Sequence, residues 1–525
     1  MSNFPSVTIN KFLGVNKNKN KLNAIPGQLS LNTNYLYEDN GGLTERGGSA
    51  KVSDPPTTGR CFGLGVYENN ANSRYPITAQ GTDYYYYSSA WVAFGLSMTP
   101  SLEVYFEQAG YGANRAMYAA NGSNSIVEIK MSGSVPAAST VTSPDSSTYL
   151  ILHKNRLFTT DGRDTLYFTE ALAFTDWNLG TNSIVVAPGL DGYIKGFAVW
   201  GDALFIFKEE AVYVLPNAAD ASPTTTWLIL KTDASQGTTS PRTVVRTRIG
   251  IMYLSSDKKV RVISPAVTFS SGEYTLGGSG SPVVSEYIED DIDSRLTSDN
   301  LAKASGVSYK DKYILSFRSL TNAQGYHDII YFADTKKFLK SKTSELNQPF
   351  YGEFTGLKFD YWAVSQLGTT QILYGIRGQT GELYTTLDDS LHADDGEAIE
   401  SRANVAWFAP DDDAVYKSFR KAFFYGETEG WSMSLIFNAY KRGKLLPNDG
   451  DGEVKTFTAS DSSEIYVDGA TLIGAVIGSG STIKSSEYNV RLKGNWFKAE
   501  ISNLNANQFT RIFSVGFTYR PIRRN

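Results

Sequence analysis

The sequence predicts an all-β protein: a β-propeller of about seven blade-like units, preceded by an extended N-terminal arm and followed by a C-terminal β-sandwich. Two observations predict this. Apolar residues alternate with period two, or run in short β-branched and aromatic blocks cut by Gly, Asn and Asp, from end to end. The composition agrees: of 525 residues 41% are hydrophobic and 20% charged, with 32 Tyr, 28 Phe, 8 Trp and 47 Gly, but three His and one Cys. That is a chain rich in core and turn residues and poor in the residues that carry chemistry. A lone Cys61 excludes an intramolecular disulfide scaffold, and three scattered His do not supply a His-rich metal centre.

Residues 1–56 are polar and turn-rich, with Lys17-Asn18-Lys19-Asn20-Lys21, Gly41-Gly42 and Gly47-Gly48. No hydrophobic period there is long enough for a domain, so an extended arm is expected, ordered by whatever it touches. Residues 57–392 hold the repeat. Its most legible copy runs from Thr148: a strand to His153, a turn at Lys154-Asn155, a strand Arg156 to Thr160, a turn at Asp161-Gly162, and Leu166 to Thr169. Asn and Asp-Gly supply the positive φ of hairpin turns, so this is an antiparallel meander. Equivalent strands recur at Ile77, Met117, Leu157, Leu204, Ile251, Tyr313 and Ile372, at intervals of 40, 40, 47, 47, 62 and 59 residues. A period near 40–50 in all-β sequence points to four-stranded propeller blades. The lengthened interval contains Ile288, Ile292 and Leu296 at i, i+4 and i+8, with Glu289, Asp290, Asp291 and Asp293 among them, which reads as a short amphipathic helix with acidic first turns. Residues 393–525 return to strands without the blade spacing and read as the sandwich.

Charge and motifs exclude several functions. The balance of 49 basic and 54 acidic residues gives a net charge of −5, which argues against a surface built to grip nucleic acid but not against a channel that lets it slip. No apolar run is long enough for a membrane span, and Met1 to Pro5 lacks the order of a signal peptide, so a cytoplasmic product that leaves by lysis or in an assembled particle is expected. No G-x-S-x-G, Walker A, post-strand G-x-G-x-x-G or H-E-x-x-H motif occurs. His153 sits in an aromatic strand, and His327 and His392 sit in polar turns without a nucleophile signature nearby. The acidic groups Asp394-Asp395-Gly396-Glu397, Asp411-Asp412-Asp413 and Asn448-Asp449-Gly450-Asp451 read as solvated loops, and the Ser-x-Asp-x-Gly-x-x-Trp repeat of sialidases is missing. No enzyme activity and no cofactor are expected. The run Tyr84-Tyr85-Tyr86-Tyr87 places two rings on each side of a strand, in a blade-to-blade seam or in a subunit interface. Tyr84 and Tyr86 are therefore candidate assembly contacts.

Several motifs, in order, resemble one family. Ile25-Pro26-Gly27-Gln28, Asn34, and Asp39-Asn40-Gly41-Gly42-Leu43-Thr44-Glu45-Arg46-Gly47-Gly48 resemble the N-terminal arm of tail proteins of short-tailed bacteriophages. His153 to Phe158 with Leu166-Tyr167-Phe168 and Asp176-Trp177 is similar to their central blade, and Gly381-Glu382-Leu383-Tyr384 with Asp394 to Ile399 is similar to their exit from the ring. One departure is Arg46-Gly47-Gly48, where family arms commonly have Arg-Pro-Gly. The resemblance is to the tail nozzle (tail tube or hub) protein. It implies a structural virion protein that forms a ring, generally a hexamer, below the portal and adaptor and beside tail fibres or spikes, with DNA leaving through the lumen unbound.

On that footing, Glu289, Asp290, Asp291 and Asp293, or Asp411, Asp412 and Asp413, are candidate channel-lining acids, since DNA carries a charge every ~1.7 Å and would stick to a basic wall. Arg520, Arg523 and Arg524 form a basic cluster suited to an acidic partner protein. The competing class is a propeller-type glycan depolymerase or carbohydrate-binding tail protein.

Overall fold

Lys154 and Asn155 adopt φ of 44° and 55°, the left-handed pair a tight hairpin needs, and His153 pairs with Arg156 across them. This turn is repeated in kind around a ring. The computed structural model describes residues 4–17, 24–99, 101–216, 218, 227–264, 266–270, 273–277, 280–340, 347–410, 415–428, 433–440, 453–459, 465–467, 470–472, 482–503 and 510–522. Seven meanders stand side by side. Each begins with an inner strand: Cys61–Glu68, Tyr105–Ala109, Ile151–His153, Ile194–Trp200, Val245–Thr247, Ser305–Tyr309 and Tyr361–Leu367 define blades 1 to 7. Neighbouring inner strands touch in sequence, and the last returns to the first, so the ring is closed. All seven anchor residues of the sequence repeat fall on the second strand of their blade. Blade 5 has three paired strands, and its fourth position is marked by an isolated bridge from Arg261 to Val283.

The aromatic content is explained by the seams. Separate buried clusters lie between blades 1 and 2 (Tyr84, Met117), 2 and 3 (Tyr118, Leu157), 3 and 4 (Phe158, Leu204), 4 and 5 (Phe205, Tyr253), and 7 and 1 (Tyr374, Leu64). A blade is covered on both faces, so its middle strands lose the alternation of a half-exposed sheet: Ala203–Lys208 and Val212–Leu215 are buried at every position. Lys208 is buried here with partners: its Nζ donates to Asp164 Oδ1 at 2.8 Å and to the carbonyls of Val186 and Ala187.

What the N-terminal arm touches, and is ordered by, lies within its own chain. Gly48–Ser53 pairs antiparallel with Leu383–Asp388 and supplies the fourth strand of blade 7, closing the ring with the opposite end of the sequence. Gln28–Thr33 lies between blade 6 and the C-terminal strand Ser401–Val405, so one ten-stranded sheet runs from propeller into sandwich. A second sheet joins Tyr35–Tyr37, Leu43–Glu45, Thr510–Pro521, Lys417–Thr428 and Thr482–Gly494, with Ser6–Ile9 added on Thr510–Pro521. Phe497 of the first sheet meets Phe517 of the second at 4.1 Å between ring centres, which makes the pair a sandwich with a shared core. The divisions expected at 56/57 and 392/393 therefore cut through continuous sheets. In the lengthened interval the helix is Glu289–Arg295, preceded by a 3-10 turn Glu286–Ile288, with Ile288, Ile292 and Leu296 buried as the periodicity requires. No helix among the described residues is long and apolar enough to cross a membrane.

Ring closure makes a sharp demand at Gly48, where a Cβ would stand 2.1 Å from the Ala393 carbonyl oxygen. Gly48→Ala is expected to lower stability by about 1–3 kcal/mol by prising off the closing strand. Gly180→Ala, with open space around it, serves as the neutral control in thermal denaturation.

Candidate functional site

The arm motif around Arg46 folds into a buried node. Arg46 is 1% exposed; its Nε donates to Asn34 Oδ1 at 2.9 Å, and its Nη1 to Asp394 Oδ1 at 2.9 Å and the Gly47 carbonyl. Nη2 donates to the other Asp394 oxygen and to the Thr355 carbonyl. Asn34 in turn donates to Thr355 Oγ1 and the Glu400 carbonyl, and Ser49 donates to Asp394. Arm, blade 6, and the segment leaving blade 7 are thus clasped by one guanidinium, whose planar fork suits bidentate pairing. Next to it, Glu45 is buried among neutral donors from Ser401, Asn503 and Thr510. Burial pushes its carboxyl up to about 7, against the downward pull of those bonds and of Arg46.

The centre of the propeller is a second polar site. A pit of about 300 Å³ lies where the inner strands converge, lined from every blade: Leu64, Tyr105, Tyr149, Gly196, Arg242, Gly306 and Trp362. Arg242 lies between the rings of Tyr105 and Tyr361, 4.3 and 4.7 Å from their centres. Its Nη2 donates to Glu103 at 3.1 Å and to the Val104 and Phe62 carbonyls, while Tyr361 Oη donates to Glu103 at 2.8 Å. This group crosses the axis and leaves no bore for a nucleic acid. The alternation Glu103, Tyr105, Glu107 leading into the inner strand Tyr105–Ala109 is the sequence signal for this group, a weak one because a two-residue spacing of acids is common on exposed strands.

The candidate channel acids are placed differently from expectation. Asp291 pairs with Lys17 at 2.6 Å and Arg295 at 3.5 Å and accepts from Tyr331; Glu289 pairs with Lys259 at 2.6 Å and Asp293 with Lys258 at 3.0 Å. Burial works against the Asp291 charge, yet Lys17, Tyr331 and Arg295 hold its carboxyl below the usual range. Asp290 alone of the four is exposed with no cation beside it among the described residues. The helix therefore seals blades 5 and 6 with ion pairs rather than presenting a bare acidic wall. Asp411, Asp412 and Asp413 lie outside the described residues, as do Arg523, Arg524 and the Asn448–Asp451 loop; Arg520 is exposed near the end of Thr510–Pro521. Tyr84 and Tyr86, 1% and 6% exposed, are in the seam of blades 1 and 2, where Tyr84 meets Phe106 edge-on, so they are not assembly contacts.

One constellation went unseen in the sequence. His327 Nδ1 lies 3.0 Å from Ser316 Oγ, and its Nε2 3.9 Å from Asp360. All three side chains are buried, and Trp362 Nε1 also donates to Ser316. Burial, with Arg60 adding to it, pushes the imidazole down to about 3, so it is neutral. A sealed Ser and a neutral His are a core network that no substrate reaches. A cleft of about 1030 Å³ between arm, blade 6 and sandwich is charged but self-paired, as Lys336 with Asp39 and Lys310 with Asp389, both at 2.7 Å. Among the described residues no three His, Cys, Asp or Glu side chains are grouped to hold a metal ion.

The fold and its sites define a seven-bladed β-propeller merged with a β-sandwich. No protein-family model matches the chain, and no curated protein matches it. Among solved structures it is similar to an ancestral GH74 enzyme, with TM-score 0.37, 10% identity, and 70% of this chain and 51% of that one covered. It is also similar to BamB from Moraxella catarrhalis (TM-score 0.35, 8% identity, 65% and 97% covered) and to the N-terminal domain of Nup159 (TM-score 0.32, 10% identity, 68% and 98% covered). The chain spans about half the length of the GH74 enzyme, and at these scores none of the likenesses bears on function.

Proposed function

We propose that this chain is a structural virion protein, a nozzle subunit of a short phage tail that forms a ring, with a hexamer expected, below the portal and adaptor and beside fibres or spikes. The observation that carries this is the Arg46 node. Asn34, Arg46 and Asp394, which belong to motifs hundreds of residues apart that together resemble the nozzle family, meet in one hydrogen-bonded cluster. A shared architectural lock is a reason for those motifs to occur in that order. The blocked propeller axis adds a constraint: exiting DNA would pass between chains, through the lumen of the ring, and not through a disc.

Electron microscopy and native mass measurement of the purified chain, alone and with adaptor, test this. Closed rings of several copies with a lumen wide enough for duplex DNA are expected. A monomer that releases sugar from host surface polysaccharide would overturn the proposal in favour of a depolymerase.

A further inference from the structure

Glu107 sits in the axial pit with a single hydrogen bond among the described residues, from the Leu152 backbone N–H at 3.0 Å. Glu107 is part-buried, and a carboxylate withdrawn from water normally carries a paired cation or several donors. Among the described residues the cation that lines the pit, Arg242, is engaged elsewhere, committed to Glu103, two carbonyls and two tyrosine rings. The other titratable groups lining the pit are Tyr105 and Tyr149, whose rings meet edge-on at 4.7 Å and whose hydroxyls burial keeps protonated. The pit is also open where it could have been filled. At Gly196 a Cβ would come no nearer than 3.7 Å to Pro241, so the space beside it is left by the sequence rather than forced by the backbone.

We propose that this pit is a binding site for a small organic ammonium ion, held by Glu107 against the aromatic wall of Tyr105 and Tyr149. An ammonium supplies the missing counter-charge and gains from ring faces. A hard metal ion would need more oxygen ligands than one carboxylate offers. The volume of about 300 Å³ admits a short alkylamine but not a peptide. The site is independent of whether the chain forms rings.

Burial pushes the Glu107 carboxyl up to about 7, which gives the site a proton linkage. Calorimetric titration of the full chain with n-butylammonium chloride, against sodium butyrate at matched ionic strength, tests the site. Saturable binding is expected at about pH 8.5, with one proton released per ammonium bound at about pH 6, read from the dependence on buffer ionisation heat. Glu107→Gln should weaken binding by about tenfold or more. Gly196→Phe, which fills the pit without touching the carboxylate, should abolish it. Both variants are checked for unchanged circular dichroism, and butyrate should not bind. Absent binding at about pH 8.5, undiminished binding to folded Glu107→Gln, or preferential binding of butyrate would each overturn the proposal; the last would assign the pit to Arg242.

Discussion

Arg46→Ala is expected to cost about 3–5 kcal/mol, because it strands the part-buried Asp394 carboxylate, leaves the Thr355 carbonyl without its donor and takes from Asn34 Oδ1 one of its two donors. The loss should be read as a lower denaturant midpoint and as new protease cleavage in residues 24–53, since the guanidinium holds the arm to blade 6 and to the exit from blade 7. Arg46→Lys should recover only part of this. A single ammonium cannot reach both Asp394 oxygens, Asn34 and two carbonyls from one plane. Arg46→Ala that leaves both midpoint and cleavage pattern unchanged would show that the node is ornamental.

The second large effect is a stability that falls as pH rises. Glu45 has a folded pKa of about 7 against about 4.5 unfolded, so the native state binds its proton more tightly. The stabilisation from the protonated form is fully present below the unfolded value and is lost as pH rises through about 7. It amounts to on the order of 3 kcal/mol. Glu107 acts in the same direction over the same window. His327, held neutral to about 3, acts oppositely and loses stability below its ordinary value of 6.5. The clean measurement is therefore the difference between wild type and Glu45→Gln, in which the His327 contribution cancels. Glu45→Gln should match wild type at about pH 4 and exceed it at about pH 8. A difference that does not change with pH would refute the assignment.

What was legible in the sequence is what local chemistry dictates. The left-handed pair Lys154-Asn155 marked a hairpin, seven apolar anchors marked the second strands, and Ile288, Ile292 and Leu296 marked a buried helical stripe. What was not legible depends on partners far along the chain. Gln28–Thr33 looks like a polar arm because nothing local announces that its neighbours will be Ser401–Val405 and blade 6. The acids of the 289–293 helix looked free because Lys17, Lys258 and Lys259 reach them through the fold. Tyr84 and Tyr86 show the same limit: alternation says which rings share a face, not what will cover them.

The strand Gly48–Ser53 pairs with Leu383–Asp388, and Ser6–Ile9 pairs with residues up to Thr518. During translation each of these strands must wait for a partner made hundreds of residues later. At ~5–20 residues per second, the outermost strand of blade 7 spends roughly twenty seconds to a minute without its ladder partner. Blades 1 to 4, whose strands are consecutive, can form in the meantime, but the disc stays open until its seventh member is finished. A nascent chain arrested before residue 361 would consequently carry a split ring, with Gly48–Ser53 still lacking its ladder partner. The finished ring is latched by Gly48–Ser53 on Leu383–Asp388, and the sandwich by Ser6–Ile9 on Thr510–Pro521.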